Sequence, residues 1–351
     1  MQKRLITLKH HADDYECMWN GIEDLYIRET GETLPPSFFF ILASFGSFCY
    51  MKTPKSKLKR MIALGDGRTK QMYEFLAPIV GFEYKHYEYK MFEQAINKAK
   101  SEIDAGYPPV LGALDMCYLP YYSKFYLGEH IPFHYVLMTG YDDDAQCIEL
   151  FDCGREEMQV LPYTELRKAW NCSYSGLSGP NTVCTVRLCA AKTKYQIAKE
   201  ALEKKAKMFL YPQVGFTGRK GFQKFIQELP KLKSELTKED YDNILSNLVM
   251  FFGAVPTVPN ALRGIRKPDE VNFNGGFDKM CRVLNEIGKE FGNDTWLKVS
   301  IIFQQGAEIV SEIKDVIVAY LTGEKDRTDE LTELFTKIME IMTEGFILLE
   351  T

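Results

Sequence analysis

The chain has 351 residues and a mass of 40.4 kDa; 46% of its residues are hydrophobic and 26% charged, and 43 basic against 48 acidic side chains leave a formal charge of −5. This composition builds a core, excludes disordered and collagen-like chains, and at this length suits two domains or one domain with a large appendage. A pI near 5.7 with interspersed charge offers no basic field for nucleic acid. The most apolar stretch, Pro35 to Tyr50, is broken by Ser37, Ser44, Gly46 and Ser47. It falls short of the ~18 apolar residues of a spanning helix, so no membrane partner is expected. Met1 to His10 lacks an apolar h-region and a small-residue cleavage site, and a cytoplasmic location follows as an expectation. Nine cysteines without a CxxC pair argue for reduced thiols rather than a disulfide framework or zinc ribbon, and no metal centre is expected.

In chain order, Met18, Trp19, Ile22, Leu25 and Tyr26 fall at helical spacing and predict a helix over 17–27, with Cys17 at its start. Further helical patterns cover Thr69 to Ile79 and Phe92 to Ile103. Strand patterns follow at Val110 to Met116, His134 to Tyr141, Cys147 to Asp152 and Thr182 to Leu188, the middle two forming a hairpin. After Lys192 the chain turns lysine- and leucine-rich, with helices expected at Lys194 to Phe209, Gly221 to Leu229, Lys238 to Phe252, Gly276 to Phe291, Thr295 to Thr322 and Thr328 to Leu349. The reading is α+β: a domain over 1–193 with an antiparallel sheet, then an α-helical domain over 194–351.

The first part holds all five histidines and eight of the nine cysteines, so chemistry concentrates there. Thiol catalysis needs a stabilised thiolate, a histidine to take its proton and a third group to orient that histidine. His134 opens a strand, which aims its ring. A turn centred on Asp144 sets His134 opposite Gly154, with Asp152 on the diagonal of the same face; diagonal neighbours lie ~7–8 Å apart. A slip of one residue would put the two on opposite faces. A core histidine and a turn-forming aspartate explain the pair equally well.

Cys17 ranks first among the thiols, because a helix start offers partial positive charge and free N–H groups that stabilise a thiolate and an oxyanion. The plain alternative is a small buried hydrophobe. Asp13, Asp14 and Glu16 oppose a thiolate, which makes a histidine partner essential.

Cys17, the run Tyr107 to Tyr122 with its Asp115-Met116-Cys117-Tyr118-Leu119-Pro120-Tyr121 core, Phe133-His134-Tyr135 through Asp143, Phe151-Asp152, and Leu161 to Leu166 with Ala169 resemble the butirosin biosynthesis protein H N-terminal family. That resemblance spans roughly Lys9 to Trp170. It implies a fold similar to papain and the bacteriocin-processing cysteine peptidases, with a nucleophile helix at the N-terminus. Asn274 to Met280 similarly resembles a glycine-containing stretch of the helical domain that often follows.

The implied chemistry is that of an amide synthase, related to enzymes of butirosin and polythioamide (closthioamide) assembly in antibiotic biosynthesis. An acyl group passes from the phosphopantetheine thioester of a carrier protein to Cys17 and then to a small amine, a diamine acylated at both ends being one version. Mapped onto this chain, Cys17 is the nucleophile, His134 the base and then acid, and Asp152 the orienting carboxylate. No cofactor of the protein's own is implied, the phosphopantetheine arm arriving with the donor. Two positions depart from the pattern. His11 stands where papain-like enzymes carry an oxyanion-donating Gln, and Glu16 where many members have His. His11 is the candidate oxyanion side chain.

Trp19, Tyr118, Tyr121 and Tyr122 are candidate walls of an acyl tunnel, core packing being the common alternative. The basic run Lys52, Lys55, Lys57, Lys59 and Arg60 suits an acidic carrier protein or a solvated loop. The same triad with water as acceptor would be a thioesterase or peptidase.

Overall fold

The computed structural model describes residues 3–13, 18–54, 59–64, 69–128, 130–173, 178–252 and 276–350. Cys17, Lys55, Lys57, Asn274 and Gly275 lie outside the described residues. The fold mixes helix, 55%, with antiparallel sheet, 17%. Two compact units emerge, 1–40 with 68–197, and 41–67 with 198–351. The sequence reading drew one cut, at 193/194. In the structure the insert 41–67 groups with the helical half, because its hairpin packs on helices there.

The first unit is built on a sheet of β1 (Lys3–Leu5), β4 (Phe82–Glu88), β5 (Val110–Leu114), β6 (His134–Asp142), β7 (Cys147–Phe151), β8 (Gln159–Pro162) and β9 (Thr182–Leu188). The strand order is β4-β9-β5-β6-β7-β8, all antiparallel, with β1 joining β6 beyond the end of β5. β5 is buried along its whole length, and only Asp142 of β6 is not, as interior strands of a covered sheet require. Helix α4 (Phe92–Asp104) covers β6 and β9 with Phe92, Ala95, Ile96, Ala99 and Ile103, an i, i+3, i+4 stripe. Helices α1 (Trp19–Thr30), α3 (Thr69–Val80) and α5 (Tyr163–Trp170) pack on β9, β4, and β5 with β8, respectively. At the end of α5, Trp170 is fully buried and its Nε1 donates to the Thr182 carbonyl at 3.0 Å.

The β6–β7 hairpin sets the geometry that matters for function. Asp142 Oδ1 accepts the N–H groups of Asp144 and Ala145 at 3.0 and 2.9 Å, closing the turn. Next to the turn, Asp142 pairs with Cys147 and Gly140 with Glu149; an irregularity at Thr139 then shifts the register, so that Met138 pairs with Leu150 and Leu137 with Phe151. The pairing at the far end is the one expected for a turn centred on Asp144, reached through a bulge. One residue of slip is corrected by one extra residue in the strand.

The second unit holds a two-stranded sheet, β2 (Phe48–Lys52) with β3 (Arg60–Leu64), and the helices α7 (Gly218–Glu235), α8 (Lys238–Phe252), α9 (Phe277–Phe291), α10 (Asp294–Leu321) and α11 (Leu331–Leu349). Helices α2 (Phe38–Ser44) and α6 (Lys194–Leu210) each straddle the division between the units. Helix α7 runs through Pro230 to Glu235, past the stop expected at Leu229. A one-turn 3-10 segment over Thr328–Glu330 precedes α11, where the sequence predicted continuous helix. β1, β2, β3, β4, β8, α2 and α5 were not among the expected elements.

The core of the second unit is aromatic. Phe346 is fully buried, with ring centroids of Phe45, Phe209 and Phe303 at 5.9, 5.0 and 5.8 Å. Gly46, at φ 81°, lets this cluster close: a Cβ there would lie 2.3 Å from Phe346 Cζ. Among the described residues of the basic run, Lys52 pairs with Glu235 at 2.7 Å, Lys59 lies 3.8 Å from Asp240, and Arg60 shares Glu235. No helix among the described residues is long and apolar enough to cross a membrane.

Replacing Phe346 with Ala removes a ring that three others enclose, and should cost about 3–5 kcal/mol. Denaturant unfolding of the variant measures this; a loss below about 1 kcal/mol would contradict the packing.

Candidate active site

β6 and β7 bring two sequence-selected residues together. His134 Nε2 donates to Asp152 Oδ2 at 2.8 Å, the imidazole being 6% exposed and the carboxylate 0%. A carboxylate removed from water needs donors on both oxygens. Tyr121 Oη donates to Oδ2 at 2.9 Å and Tyr122 Oη to Oδ1 at 2.6 Å. The Tyr122 ring also stands edge-on to the His134 ring, centroids 5.6 Å apart and planes at 88°.

The titration behaviour follows from this geometry. Burial pushes the Asp152 carboxyl up, but the His134 charge and the bonds from His134, Tyr122 and Tyr121 outweigh it and hold Asp152 below the usual carboxylate range. Burial pulls the His134 imidazole down, yet the Asp152 charge and hydrogen bond prevail and raise it to about 9. The pair is therefore carboxylate and imidazolium at neutral pH. Nε2 is committed to Asp152.

The segment carrying Asp152 is tied to α1. Asn20 Nδ2 donates to the Cys153 carbonyl at 3.0 Å and to the His11 carbonyl at 2.7 Å, and the Asp13 N–H reaches the Cys153 carbonyl at 2.7 Å. His10 lies with Nδ1 2.6 Å from Asp24 Oδ2 and Nε2 3.1 Å from the Asp152 carbonyl oxygen, its ring stacked on Phe151 at 4.6 Å. Asn20, Glu23 and Asp24 share one face of α1 at i, i+3 and i+4, and all three are buried. Gly21 lets α1 approach β6; a Cβ there would lie 3.1 Å from Leu137 Cδ2.

The other sequence candidates are placed as follows. His11 turns Nδ1 to Asp24 at 2.6 Å and Nε2 to Glu23 at 3.5 Å, and the hydrogen bonds of these carboxylates raise it to about 10 against the opposing effect of burial. Both nitrogens face carboxylates, which draws the ring away from the oxyanion role expected of it. Trp19 is buried against Tyr73 at 4.4 Å, so it packs as core. Tyr118 sits beside His130 at 5.9 Å. Tyr121 and Tyr122, read as tunnel walls, turn their hydroxyls onto Asp152 instead.

Sequence reasoning passed over His10, Asn20, Asp24 and Cys153. Asn20 and Asp24 had a signal, since with Glu23 they make three polar residues on one face of a helix otherwise apolar enough to be buried; His10, ahead of that helix, had none. Cys153 had none. One donor atom from each of His134, Asp152 and Cys153 lies within 4.8 Å of the other two. The eight described cysteines are free of disulfides.

A search of curated proteins gives no match to this chain. Residues 16–153, from just before Cys17 to just after Asp152, match the family model described as butirosin biosynthesis protein H, N-terminal, the family that the sequence motifs resemble.

Proposed function

We propose that this protein is a papain-like thiol acyltransferase of butirosin-type biosynthesis, an amide synthase acting through an acyl-Cys17 intermediate. The observation that carries the reading is the buried His134–Asp152 pair, with Nε2 on the carboxylate at 2.8 Å. The family match supports it, because its span encloses Cys17, His134 and Asp152. Cys17 precedes the cap residue of α1, Met18, in sequence.

The chemistry runs in two steps. The Cys17 thiolate attacks the donor thioester carbonyl, a new C–S bond forms, and the carrier thiol departs with the proton held by His134. The amine then attacks the acyl-Cys17 carbonyl, gives its proton to His134, and the Cys17 thiolate leaves; thioester plus amine becomes amide plus thiol. An imidazolium poised by Asp152 stabilises the thiolate before the first step and supplies its proton. The backbone N–H of Cys17 is the proposed oxyanion donor. Carrier protein and small amine are the proposed partners.

Incubation with an acyl thioester and intact-mass analysis should show one acyl adduct that Cys17→Ala removes and that an added amine discharges as amide. Peptide mapping that places the adduct on Cys153, or free acid as the only product with every amine, would overturn the assignment, the second outcome leaving a hydrolase. His134→Ala should slow acylation by about 10²–10⁴-fold.

The pH dependence follows from the His134 proton. The imidazolium persists below about 9 and is lost above it, so the single-turnover acylation rate should hold through neutral pH and fall on an alkaline limb near 9. An acid limb completes a bell as the coupled Cys17–His134 pair takes up its second proton. Stopped-flow acylation across pH 5 to about 10.5 checks this; a rate still climbing tenfold per unit through pH 9 would contradict it.

A further inference from the structure

We infer that Tyr121 and Tyr122 are positioning residues: their two phenols clamp Asp152, keep its buried carboxylate ionised, and through it hold His134 as the proton-bearing partner of the proposed thiol. The inference rests on the function proposed above and deepens it.

Among the described residues, four side chains meet Asp152 or its backbone besides its own chain neighbour. From β6, His134 donates to Oδ2; from the loop after β5, Tyr121 donates to Oδ2 and Tyr122 to Oδ1. The Cys153 sulfur lies within 4.8 Å of an Asp152 carboxylate oxygen and a His134 ring nitrogen, and His10 meets the Asp152 backbone carbonyl, not its carboxylate. With a single donor on one oxygen, a wholly buried carboxylate would take up a proton or draw the imidazole's proton across, and the thiol's partner would be neutral. The phenols supply donors without adding a competing charge. Burial and Asp152 itself hold the Tyr121 phenol far above its ordinary range, so it stays a donor throughout the working pH range.

The clamp is built, not incidental. Asp115 Oδ1 accepts the N–H groups of Cys117 and Ile131 at 3.1 and 2.9 Å, and Oδ2 meets His130 Nδ1 at 2.6 Å, which fixes the 3-10 turn Met116–Tyr118 that leads into the two tyrosines. The Tyr122 N–H closes onto the Leu119 carbonyl at 3.0 Å. On the other side, Arg155 Nη2 donates to the Tyr121 carbonyl at 3.0 Å, and its guanidinium lies 5.0 Å from the Tyr122 ring centroid. The Asp115-to-Tyr122 run of the sequence thus has a physical purpose, delivering two hydroxyls to one carboxylate.

The test is a carbon-13 NMR titration of the Asp152 carboxyl in protein labelled at aspartate, for wild type, Tyr121→Phe, Tyr122→Phe and the double variant. Phe keeps each ring and removes only the donor. The carboxyl midpoint should rise by about one pH unit per hydroxyl removed, since a charge-assisted bond in a buried site contributes about a tenfold preference or more for the ionised form. The acid limb of acylation should rise with it, with kcat falling and KM for the thioester unchanged. A double variant whose Asp152 titrates as in wild type would overturn the inference. Fluorotyrosine placed at 122, a stronger donor in an otherwise intact protein, should move the midpoint down; an unmoved or raised midpoint there would overturn it too. If instead wild type forms no acyl-enzyme while the carboxyl midpoint moves as described, the acyltransfer reading fails and the clamp stands.

Discussion

A carboxylate with no exposure to water dominates the first unit. Taking Asp152 out of solvent costs several kcal/mol unless the charge is matched by donors and an opposite charge. His134, Tyr121 and Tyr122 supply that match from three places in the chain, and each placement constrains the fold. The β6–β7 register must carry Asp152 to the His134 side, which the bulge at Thr139 achieves. The loop after β5 must turn back sharply, which Asp115 enforces by accepting two backbone N–H groups.

The second constraint is the join between this strand end and α1. Asn20 and His10 fasten the Asp152 and Cys153 carbonyls, and Asp24 in turn faces both His10 and His11. Glu23, fully buried, accepts the Phe39 N–H at 2.7 Å and is pushed up by burial, with His11 and that N–H pulling the other way; Asp24, facing two histidines, is held down despite burial. Two adjacent carboxyls on one helix thus differ in acidity because of their partners. A helix whose buried face carries this much polarity is specified by its hydrogen bonds as well as by its apolar packing.

What was legible in the sequence follows what is local. Alternating apolar residues fixed β6, β7 and β9 nearly to the residue, and helical spacing fixed α3, α4 and α8. His134 and Asp152 were legible because hairpin pairing is arithmetic once the turn is placed. The bulge was not, since nothing in Met138-Thr139-Gly140 demands it locally. β4 escaped because Glu83, Lys85 and Glu88 interrupt its apolar residues on an edge strand. The stop at Leu229 was overrun because the apolar face of α7, including Leu229 and Leu232, is buried on both sides of Pro230. The tyrosine hydroxyls were misread as walls because an aromatic run signals burial, while the partner of a phenol is a tertiary fact. His11 was misdirected for the same reason, its carboxylate partners lying on a helix twelve and thirteen positions on.

The proposed acyl transfer joins a thiol, an imidazolium and a clamped carboxylate in one unit. Its most direct test is the rate at which Cys17 is alkylated by iodoacetamide as a function of pH, compared between wild type and His134→Ala. Coupling predicts fast alkylation at neutral pH in wild type, and in the variant a rate that rises tenfold per unit toward the ordinary thiol range near ~8.5. Identical profiles in the two proteins would show that the sulfur and the imidazole do not share a proton, and would contradict the account.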